Sequence, residues 1–509
     1  MKRFESLVKN WKMENQFDVL IIGSGMGSLS AAAVLAKHGL KVKVLEQNLL
    51  PGGCTSSYYR KGFVFEAGAT TLVGLDNKMP LKLVLDITGI QLKTRKLDLP
   101  MQIQLNDGTL IQRHQNIEDW IMEAERVFGV NNQRAFWMHC YRISKMVWQV
   151  STKQRFFPPE KGSDLWQMLL NFEWKQVPFL LDAFVTMEQL LKRFNLHQNK
   201  RFVDFVNEQL MITAQNTASE VSIPFGATAL CYTNFGNYYV DGGLINLVNP
   251  FVAFINNNGG HFQNRTRVLT IEKVGNVFKI VTDKGEFISK TVLSGVPLNN
   301  LLDLYPTSKQ IKKLKSKTFQ SAQLRGAFTM SLGLKGLMPS GALHRQLHID
   351  RDIGVPGSKS IFISYSHPLD SSRSPEQHYV ASISTHVFDP ENTVIDKKKT
   401  EVLILAFLMD QQLFQPNDLV YYHSSSPSTW QDWTLRKFGF VGGYPQYKKI
   451  KPWQMSGARV EKGMYICGDS VYPGQGIPGV ALSGLLAAEK ILSDLSIKSN
   501  VSEVLEKSL

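Results

Sequence analysis

The chain has 509 residues, with 57 lysines and arginines against 43 acidic residues and a net charge of +14. At roughly 150 residues per domain this length excludes a single small module, and 43% hydrophobic with 20% charged residues excludes a disordered chain. The basic residues are scattered in short groups, so we predict no nucleic-acid partner and keep a membrane surface or a phosphate-bearing cofactor as the anionic partner.

The cysteines and the first residues bear on the cellular compartment. Cys54, Cys140, Cys231 and Cys467 lie far apart, with no CxxC and no paired histidine spacing, which excludes a disulfide framework and a structural zinc site. We therefore predict no metal. The N-terminus lacks the apolar run and cleavage site of a secretory signal, so we predict a cytoplasmic protein. Residues 19–36 are uncharged but rich in Gly, Ser and Ala, and no transmembrane helix is predicted.

Residues 1–14 have the pattern of a basic amphipathic helix. Phe4, Leu7, Val8 and Trp11 recur at helical spacing between lysines and an arginine, which is typical of a helix lying in a membrane interface. The pattern predicts peripheral attachment to a membrane surface. A leading helix that packs on the body of the protein, or a frayed tail, are the alternatives.

The next segment predicts a strand, a tight turn, a helix and a second strand. An apolar run from Asp18 to Ile22 stops at a glycine-rich turn, apolar residues then recur at helical spacing, and the second strand ends on Glu46. A terminal acid roughly 20 residues past the glycines completes the pattern of a dinucleotide-binding βαβ unit. Gly23 permits the tight turn, and Gly25 lets the backbone approach a pyrophosphate at the helix start.

The acid at the strand end selects among nucleotides. Glu46 should accept hydrogen bonds from the adenosine ribose hydroxyls, and its charge would repel a 2′-phosphate, which disfavours NADP. Ser28 stands where the strict pattern has Gly or Ala, so we expect the helix to sit slightly farther from the strand.

Two further glycine-rich segments distinguish FAD from NAD. Pro51-Gly52-Gly53 follows shortly after Glu46 and gives the backbone a second place to approach a bulky cofactor. Near the other end of the chain, a strand ends at Gly468-Asp469, and a glycine-rich turn with Gly479 precedes a helix. A two-part cofactor requires two such helix starts, so we predict FAD.

With these motifs in view, the chain resembles the phytoene desaturase and carotenoid isomerase family of FAD-dependent oxidoreductases, within the wider amine-oxidase-like flavoprotein class. The resemblance spans almost the whole chain. It is carried by the following segments: residues 23–46, 51–53, 62–68, 241–243, 267–268 and 468–479, with looser matches at residues 105–108, 366–370 and 439–445. The departures are Ser28 and Cys54, which follows the Gly52-Gly53 doublet.

The resemblance implies roles for the cofactor-binding residues. Gly23, Ser24, Gly25, Gly27 and Ser28 would hold the pyrophosphate, Glu46 the ribose, Gly52 and Gly53 the flavin side, Val268 the adenine, Gly468 and Asp469 the ribityl chain or pyrophosphate, and Gly479 and Val480 the flavin ring. No catalytic residue is assigned. Glu66 is the only acid that the motifs place near the flavin side, and we favour a role as partner for backbone amides.

The resemblance also implies the architecture. We expect an α/β fold in which a Rossmann-like, glutathione-reductase-type FAD-binding domain is built from discontinuous segments, residues 15–72, 235–298 and 452–495. Residues 73–234 and 299–451 would form an α+β substrate domain with an apolar helical insert. Within it, residues 164–194 carry apolar side chains nearly all round, which indicates full burial in preference to a membrane-contacting lid.

Three enzymatic functions and one binding function compete. A carotenoid desaturase or isomerase fits best, since a long apolar polyene suits an apolar tunnel lined partly by the aromatic side chains of residues 120–205, with a quinone or another electron acceptor as co-substrate. A retinol-saturase-like reductase of an isoprenoid uses the same scaffold. An amine oxidase would want an aromatic cage and a polar entry. A non-catalytic flavin-binding protein is the alternative from a different class.

Overall fold

The computed structural model describes residues 17–170, 181–501 and 504. Its helices are Met26–Lys37 (α1), Pro80–Thr88 (α2), Ile117–Phe128 (α3), Gln133–Lys153 (α4), Gly162–Leu170 (α5), Met187–Arg193 (α6), Lys200–Ala214 (α7), Ile223–Leu230 (α8), Ile245–Asn257 (α9), Leu298–Leu304 (α10), Lys309–Lys313 (α11), Lys397–Asp410 (α12), Pro427–Thr434 (α13) and Ile477–Asp494 (α14).

The strands form four sheets. They are Phe17–Ile22 (β1), Val42–Leu45 (β2), Ser57–Arg60 (β3), Phe63–Glu66 (β4), Leu72–Val73 (β5), Arg95–Lys96 (β6), Met101–Gln104 (β7), Leu110–Arg113 (β8), Asn237–Tyr239 (β9), His261–Gln263 (β10), Val268–Val274 (β11), Val277–Thr282 (β12), Gly285–Ser294 (β13), Arg325–Lys335 (β14), His344–His348 (β15), Ser360–Tyr365 (β16), His378–Phe388 (β17), Leu419–Ser425 (β18), Arg459–Glu461 (β19) and Met464–Ile466 (β20).

An eight-stranded sheet is assembled from three distant stretches of chain. Its order is β10-β2-β1-β13-β12-β11, and β20 joins β13 with β19 at its side. The pairs β10–β2, β2–β1, β1–β13 and β13–β20 are parallel. Because parallel strands are buried on both faces, β1 is a continuous apolar run from Val19 to Ile22, and β2 is buried throughout although it includes Lys43. The carboxyl ends of β1, β2 and β20 therefore meet at one edge.

Helix α1 lies between this sheet and α14. Its residues from Met26 to Ala36 are all buried, which explains an apolar composition without a single stripe. A Cβ on Gly484 in α14 would clash with the carbonyl of Gly27. Small residues thus let the two helices touch, and this contact holds the glycine-rich turn before α1 in place.

A seven-stranded sheet forms the second large unit, in the order β18-β14-β17-β16-β15-β7-β8. One face packs on α12 in a core that includes Ile404, Phe407 and Leu408. Helices α3, α4, α7 and α8 enclose a separate core. In it the ring of Trp120 lies 4.9 Å from Trp137, centroid to centroid.

The prediction of an α/β fold with a strand-helix-strand start is confirmed. Among the described aromatic side chains of residues 120–205, those of Trp120, Phe128, Phe136, Trp137, Phe202 and Phe205 form a packed core, and none of the described ones lines either of the two cavities discussed below. These two cavities therefore give no support to a tunnel lined partly by this stretch, and the tunnel stays a prediction. Aromatic rings gain more from edge-to-face contacts with one another than from facing an open channel.

The favoured interpretation of residues 164–194, full burial, is also wrong for much of the described part. Leu165, Trp166, Leu169 and Leu170 of α5 are exposed. The helix is held instead by its polar residue: Asp164 is buried and accepts hydrogen bonds from the backbone amides of Glu160 and Lys161. Residues 171–180, and the amphipathic segment 1–14, lie outside the described residues.

Within the described ranges, no helix is both long and apolar enough to cross a bilayer.

Candidate functional site

The loops at the carboxyl ends of β1, β2 and β20 enclose a cavity of about 460 Å³. Twelve of the thirteen predicted cofactor residues line it: Gly23, Ser24, Gly25, Gly27, Ser28, Glu46, Gly52, Gly53, Val268, Gly468, Asp469 and Val480. Gly479 does not reach the wall, since it faces the turn before α14, where an added Cβ would lie 2.8 Å from the Gly474 carbonyl oxygen. The fold thus gathers residues from three distant stretches at one surface.

The glycine-rich turn has the geometry of an anion site. Gly23 has φ +84° and its amide donates to the carbonyl of Leu45 at 2.8 Å. Gly25 is extended, and an added Cβ would meet no atom within 4 Å. No side chain caps α1. The first amides of this helix therefore point toward the cavity edge without an internal side-chain acceptor, as a bound pyrophosphate requires.

Glu46 is locked in position by its neighbours. Its Oε2 accepts hydrogen bonds from the amide and the hydroxyl of Ser24, at 3.0 and 2.6 Å. Its Oε1 accepts from the amide of Asn48 at 2.8 Å. The carboxylate is buried yet forms part of the cavity wall. Such an arrangement holds the Glu46 carboxylate in one orientation at the cavity wall.

The serine at position 28 is accommodated by a glycine far away in sequence. Ser28 is buried, and its Oγ lies 3.9 Å from the Cys467 sulfur. A Cβ on Gly295 would clash with that hydroxyl. Gly295, which directly follows β13, has no side chain and therefore leaves space for the Ser28 hydroxyl. With the Gly or Ala of the strict pattern at position 28, that space would not be needed.

The opposite end of the cavity is formed by the chain entering β11. Thr266, Arg267 and Val268 line it. The pairing of β11 with β12 is irregular between Val268 and Thr270. An irregular pairing leaves main-chain groups free to turn toward a ligand.

A buried ion pair that the sequence did not predict lies on the wall between these ends. Arg436 donates to both carboxylate oxygens of Asp469, at 2.8 and 3.1 Å, and its Nη1 lies 3.7 Å from the Cys54 sulfur. Burial lowers the pKa of Arg436, but the Asp469 carboxylate and the Cys54 sulfur together raise it, and the net shift is upward. Burial raises the pKa of the Cys54 thiol, so it stays protonated at neutral pH. Arg436 lies three residues before the segment 439–445, and this proximity was the available signal in the sequence.

A second cavity of about 410 Å³ lies on the seven-stranded sheet, under the β3–β4 hairpin. Helix α13 contributes to both cavities, with Gln431 and Thr434 in the first and Trp430 and Trp433 in the second. The helix therefore stands between them. Asn48 lines both cavities, so they adjoin beside this helix.

Glu66 lines the second cavity and is fully engaged. Its carboxylate accepts from the Ser57 hydroxyl at 2.6 Å and the Leu244 amide at 3.2 Å, and it pairs with Arg373 at 3.1 Å. All of these groups are held close to one another by the turn after Gly243, where an added Cβ would meet the Ser57 hydroxyl. The amide contact agrees with the interpretation favoured from the sequence.

A comparison with known protein families identifies the family to which this chain belongs. Residues 29–492 match the family model described as flavin containing amine oxidoreductase. The chain belongs to this family. Membership confirms the predicted flavin cofactor and the predicted oxidoreductase class. The matched residues include strands of both large sheets, so the similarity is not confined to the nucleotide-binding part.

Individual proteins are similar over nearly the full length. The prolycopene isomerase 1 of an Oncidium hybrid cultivar is 26% identical over 95% of this chain and 85% of its own. The lycopene-forming phytoene desaturase of Pantoea ananas is 24% identical over 93% and 99%. These relatives confirm the resemblance stated from the motifs. The structure of cyclohexylamine oxidase from Brevibacterium oxydans superposes with a TM-score of 0.59 at 14% identity, covering 94% of this chain and all of that one, which shows the shared fold.

Proposed function

We propose that the protein is an FAD-dependent oxidoreductase that desaturates or cis-trans isomerises a carotenoid or a related polyene. The observation that supports this most strongly is similarity to a prolycopene isomerase over 95% of the chain. That span includes the sheet on which the second cavity lies. A match confined to the nucleotide-binding loops would support only the assignment of the cofactor and would say nothing about the substrate.

The residues of the first cavity fit FAD. A pyrophosphate would take the amides at the start of α1, beside Gly25, and the ribose would take Glu46. Val268 offers its main chain to the adenine, while Gly52, Gly53 and Val480 lie on the flavin side. Bound FAD supplies the redox step by accepting or returning a hydride. We also propose that the chain divides into an FAD-binding domain and a substrate domain. The FAD-binding domain would be built from three segments and would begin with a Rossmann-like βαβ unit.

The protein's own task in this reaction is orientation and exclusion of water. A desaturation removes a hydride from an allylic carbon and a proton from the carbon beside it. The neighbouring double bonds delocalise the positive charge that the hydride leaves, and the cation is acidic enough to lose the proton to a weak base such as a water molecule, so a strong protein base is not required. The cavity on the seven-stranded sheet would hold the polyene, and α13 would set its distance from the cofactor. In a desaturation, a quinone or another acceptor would reoxidise the reduced enzyme.

We also propose that the protein is cytoplasmic and attaches peripherally to a membrane surface, where a polyene is dissolved. Six exposed apolar side chains support this: Leu165, Trp166, Leu169, Leu170, Leu181 and Phe184. Lys161 directly precedes α5, and the Lys451 ammonium lies 5.2 Å from the Phe184 ring. Exposed apolar side chains with a basic rim favour an anionic lipid surface.

Turnover in liposomes tests the reaction. FAD-loaded protein is incubated with poly-cis and partly saturated carotenes, with and without a quinone, and the products are separated by chromatography. Turnover only with quinone indicates desaturation, and turnover only after flavin reduction indicates isomerisation. If every polyene stays unchanged while retinol or a primary amine is consumed, the polyene proposal is wrong and the corresponding alternative takes its place.

A further inference from the structure

Two loops from distant parts of the chain lie against the start of α1. In the first loop, a Cβ added to Gly53 would lie 3.8 Å from the Cα of Gly25. In the second loop, Gly468 lies just after β20, and a Cβ added to Gly27 would lie 3.2 Å from the Cα of Gly468. Both loops therefore approach the glycine-rich turn closely, and the residues that follow Gly53 and Gly468 stand beside the place predicted for the pyrophosphate.

Arg436 joins these two loops through the residues that follow the glycines, Cys54 and Asp469. Its Nη1 lies 2.8 Å from Asp469 Oδ2 and 3.7 Å from the Cys54 sulfur, and its Nη2 donates to Asp469 Oδ1 at 3.1 Å. The ring of Phe440 lies 4.4 Å from the guanidinium carbon. Arg436, Cys54 and Asp469 all line the first cavity. A positive charge is thus held on the cavity wall beside the start of α1.

Acids outnumber bases on the wall of this cavity. Among the described residues that line it, the acids are Glu46, Asp303, Asp432 and Asp469, and the bases are Arg267 and Arg436. Arg267 belongs to the end formed by the chain entering β11, where the adenine would lie. Of the described lining residues, Arg436 is therefore the cation left for the negatively charged pyrophosphate, which the nearby carboxylate of Asp469 would otherwise repel.

The surroundings of Arg436 keep its charge effective. The side chain is 10% exposed, so water and salt screen it weakly, and it acts more strongly on a neighbouring anion than a surface arginine would. The guanidinium stays charged, because the net shift of its pKa is upward despite burial. A guanidinium also has more N–H donors than the two that the Asp469 carboxylate accepts, which leaves donors for a second anion.

We propose that Arg436 is the residue that allows this cavity to accept the pyrophosphate of FAD. Its charge offsets the charge of Asp469 and attracts the phosphates toward the free amides at the start of α1. Because part of the effect passes through Asp469, Arg436 is a positioning residue. The inference rests on the flavin cofactor of the proposed function and does not depend on the polyene. A purely structural ion pair would instead hold the two loops together and support the binding of any flavin to the same extent.

Flavins with and without phosphate separate these two roles. Flavin-free protein is titrated with FAD and with riboflavin, which has the same ring and ribityl chain but no phosphate. The variants all carry Asp469→Asn, because loss of Arg436 alone would strand a buried carboxylate. In this background, Arg436→Met should lower FAD affinity by roughly tenfold to hundredfold relative to Asp469→Asn alone, since a charge-assisted interaction with the phosphates is lost. Riboflavin affinity should stay the same.

A conservative variant and a matched ion pair complete the test. Arg436→Lys keeps the charge but not the forked geometry, so together with Asp469→Asn it should keep FAD affinity within about threefold of Asp469→Asn alone. Arg95 and Asp241 form a comparable pair, with hydrogen bonds of 2.7 and 2.9 Å, and neither residue lines this cavity. Arg95→Met should therefore leave FAD affinity unchanged in a protein that carries Asp241→Asn.

The inference is overturned if Arg436→Met leaves FAD affinity unchanged, if Arg436→Lys lowers it as much as Arg436→Met, or if riboflavin affinity falls as far as FAD affinity. None of these measurements requires turnover, so they are independent of the proposed reaction. If FAD affinity falls as expected but no polyene is converted, the role of Arg436 stands and the reaction is wrong. If carotenes are converted while all variants bind FAD alike, the reaction stands and the role of Arg436 is wrong.

Discussion

At residue scale, neither the backbone conformation nor the packing around position 25 requires a glycine. Its backbone is extended, and a Cβ there would meet no protein atom within 4 Å. A larger side chain would enter the first cavity instead. We predict that Gly25→Val lowers flavin affinity by roughly tenfold to hundredfold, since overpacking costs about 1 to 3 kcal/mol, while the unfolding midpoint of the flavin-free protein stays the same. Flavin titration and thermal unfolding measure the two quantities.

Gly162 provides the matched control. A Cβ there also meets nothing within 4 Å, and the residue lies at the start of α5, away from the cavity. Gly162→Val should leave flavin affinity unchanged. If Gly25→Val binds flavin as well as this control does, the glycine-rich turn does not hold the pyrophosphate.

The Arg436–Asp469 pair gives a second prediction at this scale. Both side chains are largely buried and joined by two hydrogen bonds. Arg436→Met should lower the free energy of unfolding by about 3 to 5 kcal/mol, because it strands a buried carboxylate. Adding Asp469→Asn should recover much of that loss, since the double variant removes the uncompensated charge. Denaturant unfolding of the flavin-free single and double variants measures both, and a double variant no more stable than Arg436→Met would contradict this account.

At the scale of single elements, α5 turns its apolar side chains outward. Asp164 anchors the helix through Arg459, whose Nη1 lies 3.2 Å from Oδ2, while Trp166 is 63% exposed. We predict that Trp166→Glu combined with Leu169→Glu weakens binding to anionic liposomes at least severalfold without lowering the unfolding midpoint, because neither side chain is packed. Flotation at low and high salt measures the binding.

Two comparisons complete this experiment. Leu337 is 92% exposed on the loop after β14, and Leu337→Glu should leave flotation unchanged. A chain lacking residues 1–14 tests the predicted amphipathic helix separately. Undiminished flotation of the α5 variant would remove this helix from the membrane contact, and undiminished flotation of the shortened chain would remove the N-terminal segment.

At the scale of the whole molecule, buried histidines make stability depend on pH. Burial lowers the pKa of His344, His348, His386 and His423 to about 4. An unfolded histidine titrates near pH 6.5, so between pH 6.5 and about 4 the unfolded chain binds protons that the native protein does not. The free energy of unfolding should therefore fall as the pH drops through this window, by up to about 1.4 kcal/mol per pH unit for each histidine.

Thermal unfolding at several values between pH 7.5 and 5 checks this, because carboxylates titrate mostly below that range. His344→Gln should make the dependence on pH shallower, since it removes one of the four groups. A midpoint that is flat from pH 6.5 to 5 would contradict the burial of these rings in their neutral form.

The parts of the candidate site that sequence could predict are local. The turn from Gly23 to Ser28 and the acid at Glu46 lie within one βαβ unit, and glycine conformation together with strand ends predicts where they meet. Arg436 was missed because its partner Asp469 lies on another segment, and no periodicity links the two. The exposure of α5 was missed because an apolar side chain has the same pattern whether it faces a core or a lipid surface.

What the sequence determined by itself is the class of protein: an α/β fold, a flavin cofactor and the positions of the loops around it, since these depend on backbone conformations of neighbouring residues. The tertiary structure decided what the second cavity presents to a ligand. Ser382, Ser331 and His423 come from three separate strands, and their alignment depends on strand register. A shift of one residue would have turned each of them to the other face, and no single segment of sequence records that choice.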